Sequence, residues 1–591
     1  MAMAASGSVR VGTLAELEQR GCMVVPAGGH TVAVFLHDGR VYALDNRCPH
    51  MGFPLSRGTV RDGLLTCHWH HARFDLTSGG TLDPFADDVR TFPVRVVDGE
   101  VFVEVPAGEG GRVPYWTRRI EEGLEQQITL VLAKGVIALL GAGVAPAQIA
   151  AIGGRFGLQY RAAGWGPGMT ILTACASVLP ALAPEDRVPA LVHGLARVAA
   201  DCAGQPPRFP LEPLPGTAAP IARLKQWFRR AVEVRDEEAA ERALATAIAV
   251  GGAPHELADM LLAAATDHFY LDDGHTLDFI NKACEYLDLV GWQEAGTTLP
   301  ALVAGLCRAT RSEEQNAWRH PVDLVALAGP ELTRLVTGAL PAMADGGRTL
   351  SDEEFDGLVW TVLGEDPEAT VRVLSTALRD GVALPELGLA VAHAAALRLA
   401  RFHTSNEFGD WDTVHNTWTS CQALYQALRR APSAELARGL YHAALRVYLD
   451  RFLNVPPQRL PDMEPEPPAA PTEPVALRQA LLELMDREQQ VNPVGRLVDA
   501  YLAAGQDDAA LVQTLGHALF REDAGFHAYQ AFEAGWRLFT ALRARRPLAA
   551  RRTLVGVARF LAAHSPTPRA LRQTVTIAQR LARGEELYAE M

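Results

Sequence analysis

Residues 67–76 read Cys-His-Trp-His-His-Ala-Arg-Phe-Asp-Leu, with three histidines and a cysteine inside five residues. Cys48-Pro49-His50 lies upstream, so the full pattern is Cys-x-His, sixteen residues, then Cys-x-x-His. Two thiolates and two imidazoles at short spacing are compatible with a structural zinc site. Here, however, each short loop mixes one sulfur with one nitrogen. A two-iron, two-sulfide cluster with two thiolates on one iron and two imidazoles on the other needs that mixture. On this reading Cys48 and Cys67 serve one iron, and His50 and His70 the other.

The flanking residues extend the pattern to NRCPHMGFPLSRG (46–58) and CHWHHARFDLTSGG (67–80). This segment resembles the Rieske ferredoxin family and the small Rieske subunits of bacterial reductases, over residues 8–106. Alternating runs such as TVAVFLHDG, RVYALD, RTFPVRVVDG and EVFVEV predict short strands between turns, and so an all-β Rieske domain with two cluster loops at its tip. His68 and His71 depart from the family, which usually carries proline and glycine there. They are either exposed tip residues or, for His71, part of an electron exit path or docking surface. High-potential members of the family carry a disulfide across the loops and hydroxyl donors to the cluster. Phe53 and Trp69 stand in the disulfide places, and Ala72 and Phe74 in the hydroxyl places. The resemblance therefore implies a potential near the low end of the Rieske range, about −150 mV.

The chain has 591 residues, so this domain uses only about a fifth of it. The net charge of −14 argues against nucleic acid as a partner. Eight scattered cysteines imply no disulfide framework. The start, MAMAASGSVRVG, has no apolar signal core. The apolar run at 128–154 contains Lys134, several glycines and Pro146, which predicts buried helices and no membrane span. A cytoplasmic location is expected. Gly141-Ala-Gly143 lacks the preceding strand and glycine pattern of a dinucleotide loop.

Residues 117–591 carry helical periodicity, and the pattern is written twice. Arg155-Phe156, Trp165, Thr173 and Cys175 recur 246 positions later as Arg401-Phe402, Trp411, Thr419 and Cys421. His193, Arg197, Val198 and His268 recur at an offset of 249 as His442, Arg446, Val447 and His517. FYLDDGH ends in His275 and ALFREDAGFH ends in His527. The expected organisation is a tail at 1–7, the Rieske domain at 8–106 and a linker at 107–116. Two homologous helical halves follow, 117–345 and 346–591, related by a pseudo-two-fold axis.

Imidazole is a common transition-metal ligand, and three histidine pairs match between the halves. His193, His268, His275, His442, His517 and His527 are therefore candidate ligands of a second metal site, dinuclear if the two sets meet. Asp272 and Asp523, in the matched turns with Asp273 and Glu522, are candidates to complete it. Repeats also retain histidines for packing, and acidic-Gly turns are ordinary helix ends. His403 and His415 have no counterpart in the first half and are candidates for a one-sided catalytic pocket or proton relay. His255 reads as a helix start. Trp165, Trp411, Trp418 and Phe402 could line an apolar pocket or belong to the core. Asp412-Thr-Val-His415 matches only the first part of the mononuclear-iron motif of Rieske oxygenases, so that resemblance stops at the cluster.

Two functions follow. One is an oxygenase in which the [2Fe–2S] cluster, fed by an external ferredoxin or flavin-dependent reductase, passes electrons to a histidine-rich non-heme iron site. That site would use O2 to oxidise a small organic substrate, with aromatic compounds among the candidates. The other is a Rieske ferredoxin fused to an α-solenoid scaffold that docks a client enzyme.

Overall fold

The computed structural model describes residues 7–105, 112–342, 346–464, 473–585 and 587. Most of the expected tail and the first part of the expected linker lie outside the described residues. The chain forms two compact units: one runs to Ile152 and takes in the chain from Leu571, and the other is Gly153–Ala570. Residues 117–152 and the C-terminal helical segment therefore group with the β domain, although the sequence pattern assigns them to the helical halves.

Among the described residues the first unit contains ten strands: β1 Gly7–Thr13, β2 Cys22–Ala27, β3 His30–His37, β4 Arg40–Asp45, β5 Thr59–Arg61, β6 Leu64–Thr66, β7 Arg73–Asp75, β8 Thr91–Phe92, β9 Val94–Val97 and β10 Glu100–Val105. They build three antiparallel sheets, ordered β1-β10-β9, β2-β3-β4-β8 and β5-β6-β7. Four two-residue hairpins, Gly28-Gly29, Asp38-Gly39, Asp62-Gly63 and Asp98-Gly99, have positive φ at both positions. That is the type I′ geometry whose twist matches the flanking strands. Pro93 cannot donate to a ladder, so the run 91–97 splits, with β8 pairing to β4 and β9 to β10. The helices Val113–Glu125 and Thr129–Gly141 complete this unit together with the chain after Leu571.

The second unit is helical. Helix Pro184–Cys202 packs on Asp508–Phe520, while Ala434–Leu449 packs on Pro254–Ala265. Likewise His275–Val290 packs on Phe408–Arg430, while Phe526–Leu542 packs on Pro167–Val178. Among the described residues no helix is long and apolar enough to cross a membrane.

Candidate functional site

The two loops at the tip of the β domain are built alike. In the first, Cys48 N donates to Phe53 O (2.8 Å) and Gly52 N donates back to Cys48 O (2.7 Å). In the second, Cys67 N donates to Ala72 O (2.8 Å) and His71 N donates back to Cys67 O (3.0 Å). Each turn needs a left-handed residue at the same place, Gly52 at φ 83° and His71 at φ 62°. That is glycine territory, so the surplus His71 occupies a backbone position the fold asks of glycine. His68 Nε2 lies 2.6 Å from Thr59 Oγ1 on the exposed surface.

The turns present their side chains to one another. Cys48 and Cys67 are buried and their thiols hydrogen-bond. That bond, aided by the Trp69 and His70 amides against burial, draws the Cys67 thiol down. The rings of His50 and His70 meet edge-on, with centroids 4.7 Å apart. Burial, with the charge of Lys134, pushes the His50 imidazole down to about 4, so it is neutral and able to ligate at pH 7. His50 Nδ1 is buried and has no hydrogen-bond partner. A buried orphan nitrogen beside a second imidazole and two facing thiols fits a cluster held by two sulfurs and two nitrogens. Ala72 and Phe74 are fully buried and offer no hydroxyl.

Lys134 reaches this tip from the helix Thr129–Gly141. Its Nζ donates to Pro49 O (2.6 Å), His50 O (3.0 Å) and Asp87 Oδ2 (3.1 Å). The other oxygen of Asp87 accepts from Arg119 Nε at 2.9 Å.

In the helical unit the six repeat-matched histidines do not form one site. His193 Nδ1 is 2.6 Å from the Tyr529 hydroxyl. His442 packs against Phe269 with the rings tilted and their centroids 4.2 Å apart, and burial pushes it down to about 3. His268 lies between Glu313 (2.5 Å) and Glu233 (2.7 Å). His517 Nδ1 lies 3.0 Å from Asp186. Asp272 Oδ1 accepts from Thr310 N, and Asp523 Oδ2 from Ala570 N, so both carboxylates brace turns. His403 holds Ser405 in a local turn, with Nδ1 2.7 Å from its Oγ. Each of these side chains thus has a hydrogen-bonding, ion-pairing or ring partner, although His442 Nε2 is buried without a hydrogen bond.

The remaining matched pair does meet. The rings of His275 and His527 stack with centroids 6.2 Å apart, and His415 faces His527 at 5.1 Å. Two residues that the repeat could not reveal join them. His527 Nδ1 is 3.0 Å and His564 Nε2 3.5 Å from Asp412 Oδ1. These imidazoles hold Asp412 below the usual carboxylate range against the opposing effect of burial. His564 Nδ1 is 2.9 Å from Phe560 O, to which it donates, while Nε2 is the nitrogen that faces Asp412. His415 is fully buried, neither ring nitrogen has a partner, and burial lowers it far below 6.5. The helix carrying His275 starts after a strained turn, with left-handed Tyr270 (φ 43°), Asp272 (φ 47°) and Asp273 (φ 50°). Trp411, Phe402 and Trp418 are buried around this group, whereas Trp165 packs apart against Tyr286. Among the described residues no three His, Cys, Asp or Glu side chains already stand in the geometry of a single metal ion. The spacing of Asp412 and His415, one turn apart on one helix face, was the available signal for the carboxylate; none marked His564.

Residues 7–93 match the family model of the Rieske [2Fe-2S] domain. Over 80 residues the chain is 36% identical to the anthranilate 1,2-dioxygenase ferredoxin subunit of Burkholderia cepacia, covering 13% of this chain and 74% of that one. It is 36% identical over 81 residues to the ferredoxin component of the p-cumate 2,3-dioxygenase system of Pseudomonas putida (13% and 69% covered). It is 33% identical over 81 residues to the ferredoxin component of the alkene monooxygenase system of Xanthobacter autotrophicus (14% and 66% covered). The helical remainder matches no family model. Its N-terminal domain is homologous to ferredoxin components of oxygenase systems and supports a [2Fe–2S] cluster, and through that domain the chain belongs to the Rieske [2Fe–2S] family.

Proposed function

We propose that this protein is an oxygenase carrying its own electron relay. Cys48, His50, Cys67 and His70 hold the [2Fe–2S] cluster, which supplies one-electron transfer when bound. An external ferredoxin or flavin-dependent reductase feeds it. The acceptor is a histidine-rich iron centre in the helical unit, at His275, His415, His527 and His564 with Asp412. This replaces the wider ligand set expected from the repeat. The overall chemistry is hydroxylation: substrate C–H, O2, two electrons and two protons give C–OH and water. Asp412 orients His527 through Nδ1, and Phe560 O orients His564, the outer-sphere arrangement usual for ligating imidazoles. The buried aromatic residues around His415 exclude water and suit a small, apolar, aromatic substrate. The reciprocal packing of matched helices supports two homologous halves about a pseudo-dyad. The domain limits proposed from the repeat are a β domain at 8–106 and helical halves at 117–345 and 346–591, while the compact units group 117–152 and the chain from Leu571 with the β domain.

The observation that carries this reading is His415. A fully buried imidazole with two unpartnered nitrogens costs roughly 1–3 kcal/mol, and a bound ion would satisfy the one that carries the lone pair. The test is iron and acid-labile sulfide per chain on anaerobically purified protein, wild type against a His415→Ala/His527→Ala variant. More than two irons with two sulfides, falling to two irons in the variant while the Rieske spectrum survives, is expected. Two irons and two sulfides in both proteins, with no other metal, would overturn it. That outcome would favour the scaffold reading, which the contacts of His193 with Tyr529, His268 with Glu313 and His517 with Asp186 support.

A further inference from the structure

We propose that Lys134, in the helix that follows the Rieske fold, sets the reduction potential of the cluster by holding a positive charge against the first cluster loop. The family match ends at residue 93, so this charge comes from outside the fold that carries the ligands. Lys134 is 8% exposed, and two of its three contacts are the carbonyl oxygens of Pro49 and His50, inside the Cys48–His50 loop.

The surrounding charges give the effect a direction. Asp87, 3% exposed, is shared between Lys134 and Arg119. The Arg119 guanidinium spends its remaining donors on Pro84 O (3.0 Å), Ala86 O (3.2 Å) and the half-exposed Glu122. One buried carboxylate thus faces two buried cations, and the ammonium is the member on the cluster loop. Reduction adds one negative charge to the cluster. In a wall of low dielectric a fixed ammonium favours the reduced state, and a fixed carboxylate opposes it. Lys134 therefore counteracts the low potential implied by Ala72 and Phe74, which lack hydroxyl donors.

The inference rests on the cluster being held at this tip, so two sulfides per chain in the wild type are established first. The midpoint potential of the full-length, cluster-loaded protein is then measured by spectroelectrochemical titration for the wild type, Lys134→Met, Lys134→Arg and Asp87→Asn. In Lys134→Met the oxidised-to-reduced ratio at a given potential rises about threefold to tenfold, tenfold being ~59 mV for one electron. Lys134→Arg keeps the wild-type value within about twofold, because it keeps the charge. Asp87→Asn moves the potential up, opposite to Lys134→Met. An unchanged electron paramagnetic resonance spectrum shows that the ligands are intact in each. If Lys134→Met fails to retain the cluster, Lys134→Gln, which keeps an amide donor, carries the same expectation. The proposal is overturned if the charge-removing variants, Lys134→Met or Lys134→Gln, leave the potential unmoved. It is equally overturned if Lys134→Arg falls with Lys134→Met, or if Asp87→Asn falls with them. Those outcomes would mean that the contact only shapes the loop.

Discussion

Replacing Asp278 by asparagine should stabilise the helical unit above neutral pH and leave it unchanged near pH 3.5. The reason lies in a row of buried charge between the helices His275–Val290 and Phe526–Leu542. Lys282 Nζ is 2.8 Å from Glu285 and 2.5 Å from Glu533. Arg537 contacts Glu533 and lies 3.7 Å from Glu285. Two cations thus meet two carboxylates. Asp278 is a third carboxyl, 2% exposed, and its hydrogen-bond partner is the amide of Gln530. Burial, opposed by Lys282, pushes Asp278 up from 3.8 to about 7. A carboxyl raised in the folded state binds more protons there than in the unfolded chain, so stability falls as pH rises from about 4 to about 7. A difference of about 3, at 1.36 kcal/mol for each, gives a ceiling of ~4 kcal/mol. Asparagine has no charge to bury, and its amide can donate to Gln530 Oε1, which has no partner. The assay is scanning calorimetry of the full chain, following the helical transition. The melting temperature of the variant should match the wild type near pH 3.5 and exceed it by several degrees near pH 8.5. As a control, Lys282→Met leaves two buried carboxylates short of a cation and should cost about 3–5 kcal/mol at all pH values tested. Parallel stability curves for wild type and Asp278→Asn between these pH values would refute the reasoning.

Ala72→Ser places a hydroxyl at a buried position beside Cys67 and should raise the cluster potential, read by the same redox titration; an unchanged potential would mean that the hydroxyl does not reach the cluster. His268 is raised by Glu313 and Glu233 against the pull of burial. Its pairing therefore adds stability below its ordinary value of 6.5, and that stability is lost as pH rises through the raised value. His268→Gln should flatten this part of the pH–stability profile, measured by chemical denaturation, and an unaltered slope would show that the two carboxylates do not hold the charged ring.

The β domain was legible because its signals are local. Asp-Gly and Gly-Gly pairs mark hairpins by their backbone preference, and the cluster residues sit at fixed offsets within two matched turns. Pro93 was also readable in principle, as a residue that ends one strand pairing and begins another. Lys134 was not, because a lysine in an apolar helix says nothing of which loop it will meet. The grouping of the last segment with the first domain is likewise a long-range event with no local mark. In the helical unit the repeat pointed to histidines that occur twice, and three of those pairs are present, but position in a repeat does not distinguish a ligand from a packed or ion-paired ring. His193 and His442 rest on aromatic residues, and His268 and His517 on carboxylates. His415, Asp412 and His564 gather around His275 and His527 without symmetric partners, so internal comparison passes over two of them.

His415 also separates the two functional readings by energy alone. In a scaffold, an imidazole with no partner at 0% exposure is a pure cost. Replacing it with leucine removes two orphan nitrogens while roughly keeping the volume between Phe560 and Trp418, whose rings lie 4.7 and 6.2 Å away. In metal-free protein His415→Leu should therefore be stabilising by about 1–3 kcal/mol, the desolvation cost of unsatisfied polar atoms. With iron supplied, the order should reverse. Wild type gains stability from an ion that binds only the folded state, and the variant gains none. Denaturation of both proteins with chelator and with ferrous iron under argon gives the four values needed. If His415→Leu is the more stable in both conditions and iron shifts neither protein, the buried histidine is no ligand. If it is the less stable already in chelator, the ring has a packing role that outweighs its two orphan nitrogens, and the energetic argument for a metal at this position falls with it.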